Sequence, residues 1–337
     1  MDPETATALI DDLWEAIARE EPPTFFEVTT AMALIYFARA HTDIDIMEVG
    51  MGGRLDATNV ITPLVSVITS IGMEHQAFLG KRLRDIAFEK AGIIKPGVDV
   101  ITTATQPAVL SVLESIARDQ GAPLWRVGKD LRYRTSETGV HYKGPTLHLK
   151  GLKPGLKGTF QSRNAAAALG IVERLMDKGY VISSDQIADG LANTCWPGRM
   201  HVVRQRPLVV LDGAHNPPAI RALANAVRTA FRYRRMILVI GVMADKAIYS
   251  LLKGIVPLAD HVIFTRPVYE RAASPDRLMT AAKPFGIPGE AIPSLNRALT
   301  RAGKMAHPED LILVCGSLFT VGEALTYFDP VVYRPDS

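Results

Sequence analysis

The sequence predicts an α/β protein built as two successive units, and three observations carry that prediction. Short β-branched runs alternate with amphipathic helical stretches, the pattern of a mostly parallel sheet covered by helices on its faces. The alternation is interrupted once by a Gly- and Pro-punctuated polar-apolar stretch, and it restarts after a Pro-Gly break. The 337 residues also exceed the length at which a single core usually stops growing.

Residues 5–20 set Leu9, Ile10, Leu13, Trp14 and Ile17 at helical spacing, which predicts an amphipathic helix. The stretch "PPTFFEVTTAMALIYFARA" opens with Thr24 and Glu27 in capping-box spacing and continues apolar on nearly all sides, so a central, buried helix is expected. Strands are expected at 43–49 ("DIDIMEV"), 65–71 ("VSVITSI") and 98–103 ("VDVITT"), with helices over 82–91 and 107–119. The alternating stretch 124–160 predicts an antiparallel meander. Helices at 163–177 and near 185–193 lead to "CWPGR", whose Pro-Gly pair predicts a boundary between domains 1–197 and 198–337. Beyond it, "PLVVLD" at 207–212, a helix from Pro217, "MILVIG" at 236–241, a helix near 246–256, "HVIFT" at 261–265, further helices and "LILVCGS" at 311–317 predict a small doubly wound domain.

Composition narrows the function classes. An apolar fraction of 47% with 22% charged residues describes a globular protein, and a net charge of +3 gives no nucleic-acid stripe. The two cysteines, Cys195 and Cys315, lie far apart without metal-ligand spacing, which excludes a disulfide framework or zinc site and fits a reducing cytoplasm. Acidic residues at the N-terminus and the lack of a long apolar run predict neither a signal peptide nor a membrane anchor.

The turn in "DIMEVGMGGRLDATN" raises the question of what its glycines hold. A Walker loop requires Gly-Lys followed by Ser or Thr, and no such triplet occurs. Gly50-Met51-Gly52 begins like a dinucleotide fingerprint, but Leu55 stands where the third glycine belongs, so a nicotinamide site is rejected. Glu48 falls at the end of one expected strand and His75, in "SIGMEHQAFLG", beyond the next. Singly they read as a solvated carboxylate and a structural histidine; together they form a candidate cation pair. Lys90 lies one turn before Gly92, beside Glu89, and by itself reads as a lysine favouring a helix C-terminus.

Seven blocks, "TFFEVTTAMA", "MEVGMGGRLDATNVI", "ITSIGMEHQAFLG", "EKAGIIKPG", "WPGR", "LDGAHNP" and "CGSLFTVGEA", follow the order and spacing of folylpolyglutamate synthase/dihydrofolate synthase. The chain thus resembles this branch of the Mur ligase superfamily from about residue 20 to about 325. The resemblance implies an N-terminally incomplete Mur-ligase central domain followed by a Rossmann-like C-terminal domain. It implies activation of a carboxylate by ATP as an acyl phosphate, then attack by the amino group of L-glutamate, with dihydropteroate or a folate as acceptor. Glu48 and His75 match the family's Mg²⁺ ligands, and Lys90 matches a lysine that the family carbamylates. Thr24, Phe25, Phe26 and Glu27, with Leu55, Asp56 and Ala57, match pterin contacts, so the glycines are expected to let backbone approach a substrate. Asn164 matches an adenine-binding asparagine, Arg199 a phosphate-binding arginine and Asp212 a nucleotide-contacting aspartate, with His215 close by. A helix N-cap at Asn164 and an ordinary Asn216-Pro217 helix start are the plain alternatives. A cytoplasmic monomer is expected for a complete member.

The departures from the pattern also carry expectations. The family's G-T-N-G-K-G-S phosphate loop and a flexible loop near the pterin have no counterpart here, Glu74 replaces an Asp, and Phe160 replaces a His. Without the phosphate loop, this chain alone is expected to be strongly impaired in ATP turnover and to expose an apolar sheet edge. A start at an internal methionine, a second chain that supplies the loop, and a non-catalytic nucleotide- or folate-binding module are the competing accounts. Another Mur-type amide ligase is the alternative enzyme.

Overall fold

The computed structural model describes residues 1–18, 21–73 and 75–334. Two compact units emerge, residues 1–131 with 170–180, and residues 132–169 with 181–337.

In the first unit, α1 (Pro3–Ile17) is capped by Asp2, whose carboxylate accepts the Thr5 amide at 2.8 Å. α2 (Phe25–Ala40) starts in a complete capping box between Thr24 and Glu27, as its sequence predicts. Three short parallel strands, β1 (Val65–Ile68), β2 (Asp99–Thr102) and β3 (Leu124–Arg126), lie in the order β1-β2-β3. Between them run α3 (Gln76–Leu79), α4 (Leu83–Ala91) and α5 (Pro107–Asp119). Val109, Leu110, Leu113 and Ala117 of α5 fall on one helical face and bury against Ile86 and Val100.

Three expectations need correction in this unit. Residues 43–49 form no strand, and Ile44 and Ile46 are exposed. Alternating apolar residues favour an extended backbone, but a strand also needs a ladder partner, and none of the described strands pairs with this segment. Glu48 therefore does not end a strand. α2 is not buried: Thr30 is its one buried residue, and Phe25 is 84% exposed, because its main packing partners are α1 and the turn Ala57–Val60. Lastly, Leu124–Arg126 pairs parallel with β2 and is not part of the meander.

The second unit contains that meander as β4 (Arg132–Ser136), β5 (Gly139–Lys143) and β6 (His148–Leu152), all antiparallel. Next comes α6 (Thr159–Asp177), whose residues from Gly170 belong to the first unit, and then α7 (Ser184–Asn193). The larger sheet consists of β7 (His201–Gln205), β8 (Leu208–Asp212), β9 (Met236–Ile240), β10 (His261–Arg266), β11 (Gly289–Ser294) and β12 (Leu311–Cys315). Its order is β11-β10-β9-β12-β8-β7, parallel except for β7, with β7 and β11 not foreseen from sequence.

Alternation along β8 explains the layering. Val210 faces a core shared with α8 (Pro217–Ala230), α9 (Ile248–Ile255) and α10 (Pro275–Ala282), whereas Val209 and Leu211 face α11 (Leu295–Met305) and α12 (Leu318–Phe328). Neighbouring β8 and β12 are thus followed by helices on opposite faces. That is a topological switch point, where open α/β sheets form a ligand crevice beyond the carboxyl ends of their strands.

Candidate functional site

In the second unit Asp212 is the last residue of β8 and is 4% exposed. Its Oδ2 accepts the Met200 amide and its Oδ1 the Ala214 amide, each at 2.9 Å. Burial raises its pKa above the ordinary value, opposed by these two amides and by the nearby charges of Arg199 and His215. The carboxylate is thereby fixed, and each oxygen keeps a second lone pair for a ligand.

Arg199 leaves the Pro197-Gly198 turn, its amide bonded to Trp196 O at 3.2 Å. Gly213 N donates to Gly198 O at 2.8 Å, which joins this turn to the end of β8. His215 Nδ1 lies 2.8 Å from Gly213 O. A carbonyl only accepts, so Nδ1 carries a proton and Nε2 is the ring nitrogen left facing away from that bond. Asn216 caps α8 by accepting the Ala219 amide at 2.8 Å, so the plain reading of the Asn-Pro helix start describes it. Arg199, Asp212 and His215 are thus brought together at the switch point.

Asn164 is not an N-cap, because α6 begins at Thr159 and places it in the second turn. It is exposed and donates to Gln161 Oε1 at 2.9 Å. Phe160, the departure from the family histidine, packs against the core beneath α8 to α10.

Sequence reasoning missed the polar knot opening α12. The Ser317 side chain accepts the Thr320 amide at 2.9 Å, and Thr320 Oγ1 donates to Gly241 O at 3.0 Å. This ties the carboxyl ends of β12 and β9 together. The Ser-x-x-Thr spacing after the apolar run 311–315 is the signal that could have found it.

In the first unit Thr24 and Glu27 commit their polar groups to each other. Glu27 Oε2 accepts both Thr24 N and Thr24 Oγ1 at 2.7 Å, and these bonds lower its pKa. Phe26 packs over Gly50, where an added Cβ would fall 2.6 Å from the ring. That contact brings the start of α2 to the glycine turn. Asp56 Oδ2 accepts Met51 N at 2.9 Å, while its Oδ1 accepts Thr58 N at 3.0 Å and Thr58 Oγ1 at 2.6 Å. Asp56 therefore holds the turn in shape and leaves Leu55 80% exposed beside half-buried Ala57.

Lys90 is half-buried in the last turn of α4. Gly92 caps that helix in a right-handed conformation, so it is glycine for space, since a Cβ there would overlap the Arg54 backbone. His75 precedes α3 at φ 49° and, like Glu48, is exposed. Among the described residues no three His, Cys, Asp or Glu side chains gather as a metal site. Glu48 and His75 are each open to solvent as a single donor, the kind of group used by an ion such as Mg²⁺ that keeps several waters and takes few protein ligands. Glu74 lies outside the described residues.

The model of the Mur ligase middle domain matches residues 5–172, and that of the Mur ligase glutamate ligase domain matches 198–318. A dihydrofolate synthase/folylpolyglutamate synthase of Bacillus subtilis is 32% identical over 338 residues, covering 94% of this chain and 76% of the relative. The chain belongs to the folylpolyglutamate/dihydrofolate synthase family of Mur ligases. A probable bifunctional folylpolyglutamate synthase/dihydropteroate synthase of Halobacterium salinarum is 37% identical, and there the chain spans 38% of the relative's length. Escherichia coli FolC in complex with DHPP and ADP superposes with a TM-score of 0.90 at 31% identity, covering 98% of this chain and 77% of that one. Membership accounts for the α/β architecture, and the glutamate ligase match begins at Gly198. Among the described residues no helix is long and apolar enough to cross a membrane.

Proposed function

We propose that this chain ligates L-glutamate to dihydropteroate, to a reduced folyl-glutamate, or to both, driven by ATP. The substrate carboxylate attacks the γ-phosphorus, ADP leaves, and the acyl phosphate receives the glutamate amine, expelling phosphate as the amide forms. Residues 1–197 supply pterin and metal contacts, and residues 198–337 the glutamate-ligase domain. The observation that carries the reading is the convergence of Arg199, Asp212 and His215 on the switch point of the larger sheet, in a chain of this family.

Each residue type suits its step. Arg199 offers a guanidinium to phosphate oxygens, whose stabilisation dominates phosphoryl transfer. Asp212 is held by two amides and accepts hydrogen bonds from the nucleotide without reorganising. His215, with a proton held on Nδ1 by Gly213 O, presents Nε2 to the site. Asn164 contacts the adenine. Phe25, Phe26, Leu55 and Ala57 give the pterin an apolar surface beside the Thr24–Glu27 and Asp56 clamps. Mg²⁺ bound by Glu48 and His75, with Lys90 as its carbamate, would neutralise phosphate charge. The protein is read as a cytoplasmic monomer whose small-molecule partners are ATP, glutamate and the pterin.

Mass spectrometry after incubation of the chain, alone and with a phosphate-loop segment, with MgATP, glutamate and dihydropteroate tests the reading. The expected product has gained one glutamyl residue and vanishes when ATP is omitted. Nucleotide binding with no such product, even when a phosphate-loop segment is added, would instead identify a binding module.

A further inference from the structure

The glycine turn and the end of α4 are joined by backbone and side-chain hydrogen bonds. Arg54 N donates at 2.8 Å to Glu89 O, a last-turn carbonyl whose other bond, from the capping Gly92 N, is a long 3.4 Å. The Arg54 side chain then grips the Glu89 carboxylate as a fork, with Nη2 at 3.0 Å from Oε1 and Nε at 3.2 Å from Oε2, and its guanidinium lies 5.8 Å from the Phe88 ring centroid. Asn59 Nδ2 bridges both segments, donating to Arg54 O at 3.1 Å and to Gly92 O at 3.0 Å. Lys95 Nζ donates to Asn59 O at 2.8 Å. The two backbones fit only because both partners are glycines: a Cβ on Gly92 would overlap Arg54, and one on Gly53 would fall 3.0 Å from Glu89 O and Lys90 O.

We infer that Arg54 and Asn59 are positioning residues that make the turn carrying Leu55, Asp56 and Ala57 and the helix end carrying Lys90 one rigid piece. The inference rests on the proposed ligase reading for what that piece aligns. Arg54 and Glu89 are 44% and 22% exposed, a setting in which an ion pair adds little to the stability of a fold. The fork's contribution is direction more than stability. It fixes the angle between a substrate-facing turn and Lys90, and a small misplacement of reacting groups costs rate steeply.

The test is hydrogen exchange on the whole chain, read at Ile93 N and Ile94 N, which bond to Lys90 O and Ala91 O. In Arg54→Glu and in Asn59→Ala these amides are expected to exchange about tenfold faster than in wild type, with core amides such as that of Val100 unchanged. The swap R54E/E89R should restore slow exchange. In the turnover assay kcat should fall about tenfold in Arg54→Glu at an unchanged KM for ATP, and recover in the swap. Unchanged exchange at Ile93 and Ile94, equal acceleration at Val100, or faster local exchange with wild-type kcat would each overturn the inference. Should the wild-type chain form no amide even with a phosphate-loop segment added, the ligase reading fails, and the exchange data alone decide whether the two segments form one piece.

Discussion

The two ends of the candidate chemistry are built differently. At the switch point of the larger sheet, β9 and β12 are buried along their whole length, and the key carboxylate, Asp212, is sealed and held by two backbone amides. In the first unit the candidate groups ride on exposed turns: Glu48 and His75 face solvent, Phe25 is 84% exposed, and Thr24, Glu27 and Asp56 bond mainly to their own local segments. The contrast teaches that the candidate nucleotide-side residues are preorganised by the fold, whereas the candidate pterin- and metal-side residues are preorganised by turn chemistry. Damage to the former should therefore register as lost stability, and damage to the latter as lost function at constant stability.

The largest expected effect is at Gly316. It sits at φ 110° just past β12, and an added Cβ would overlap Gly241 O and crowd Ile240. Gly316→Ala combines left-handed strain with a backbone collision, so a loss of about 3 kcal/mol in urea unfolding is expected. Gly50→Ala makes the useful contrast. Its Cβ would meet the Phe26 ring, which is 39% exposed and free to swing, so the cost should stay below about 1 kcal/mol.

Asp310 comes next. Burial pushes its pKa up, but hydrogen bonds from the Arg235 side chain, the His307 amide and the Arg234 side chain outweigh that and hold it at about 2. A depressed carboxylate stabilises the fold above its unfolded pKa of about 3.9, and that stability disappears as pH falls toward the folded value. Asp310→Asn should cost about 2 kcal/mol at neutral pH and flatten the acid limb of the stability curve. Asp212 has the opposite sign. Its raised pKa means that the fold gains from its protonation, so Asp212→Asn should remove a stability term that grows as pH drops through the raised value. The smallest effect is at Glu48, where Glu48→Gln should change stability by less than about 0.5 kcal/mol while weakening Mg²⁺-dependent turnover. A stability loss there as large as at Asp310 would break the comparison.

What was legible follows the same divide. The inner strands β8, β9, β10 and β12 of the larger sheet read directly as apolar runs because both of their faces are largely buried, and the capping box at Thr24 read directly because its partners are three residues apart. The segment 43–49 misled because alternation specifies a backbone shape and says nothing of a neighbouring strand. α2 misled because apolarity on all sides does not supply packing partners. Asn164 moved inside its helix because α6 starts at Thr159, before the expected 163. The clamp on Asp212 stayed invisible because one of its donors, Met200, is twelve residues away along the chain and meets it only through the pairing of β7 with β8.

The most direct test of the ligase reading is glutamate-dependent phosphate release from MgATP with dihydropteroate or a reduced folate. It should be run on this chain alone and on the chain supplied with a segment bearing a G-T-N-G-K-G-S phosphate loop. The account predicts little release from the chain alone and, with the loop, release that requires both glutamate and the pterin. Release that ignores glutamate, or none with the loop present while nucleotide still binds, would contradict it.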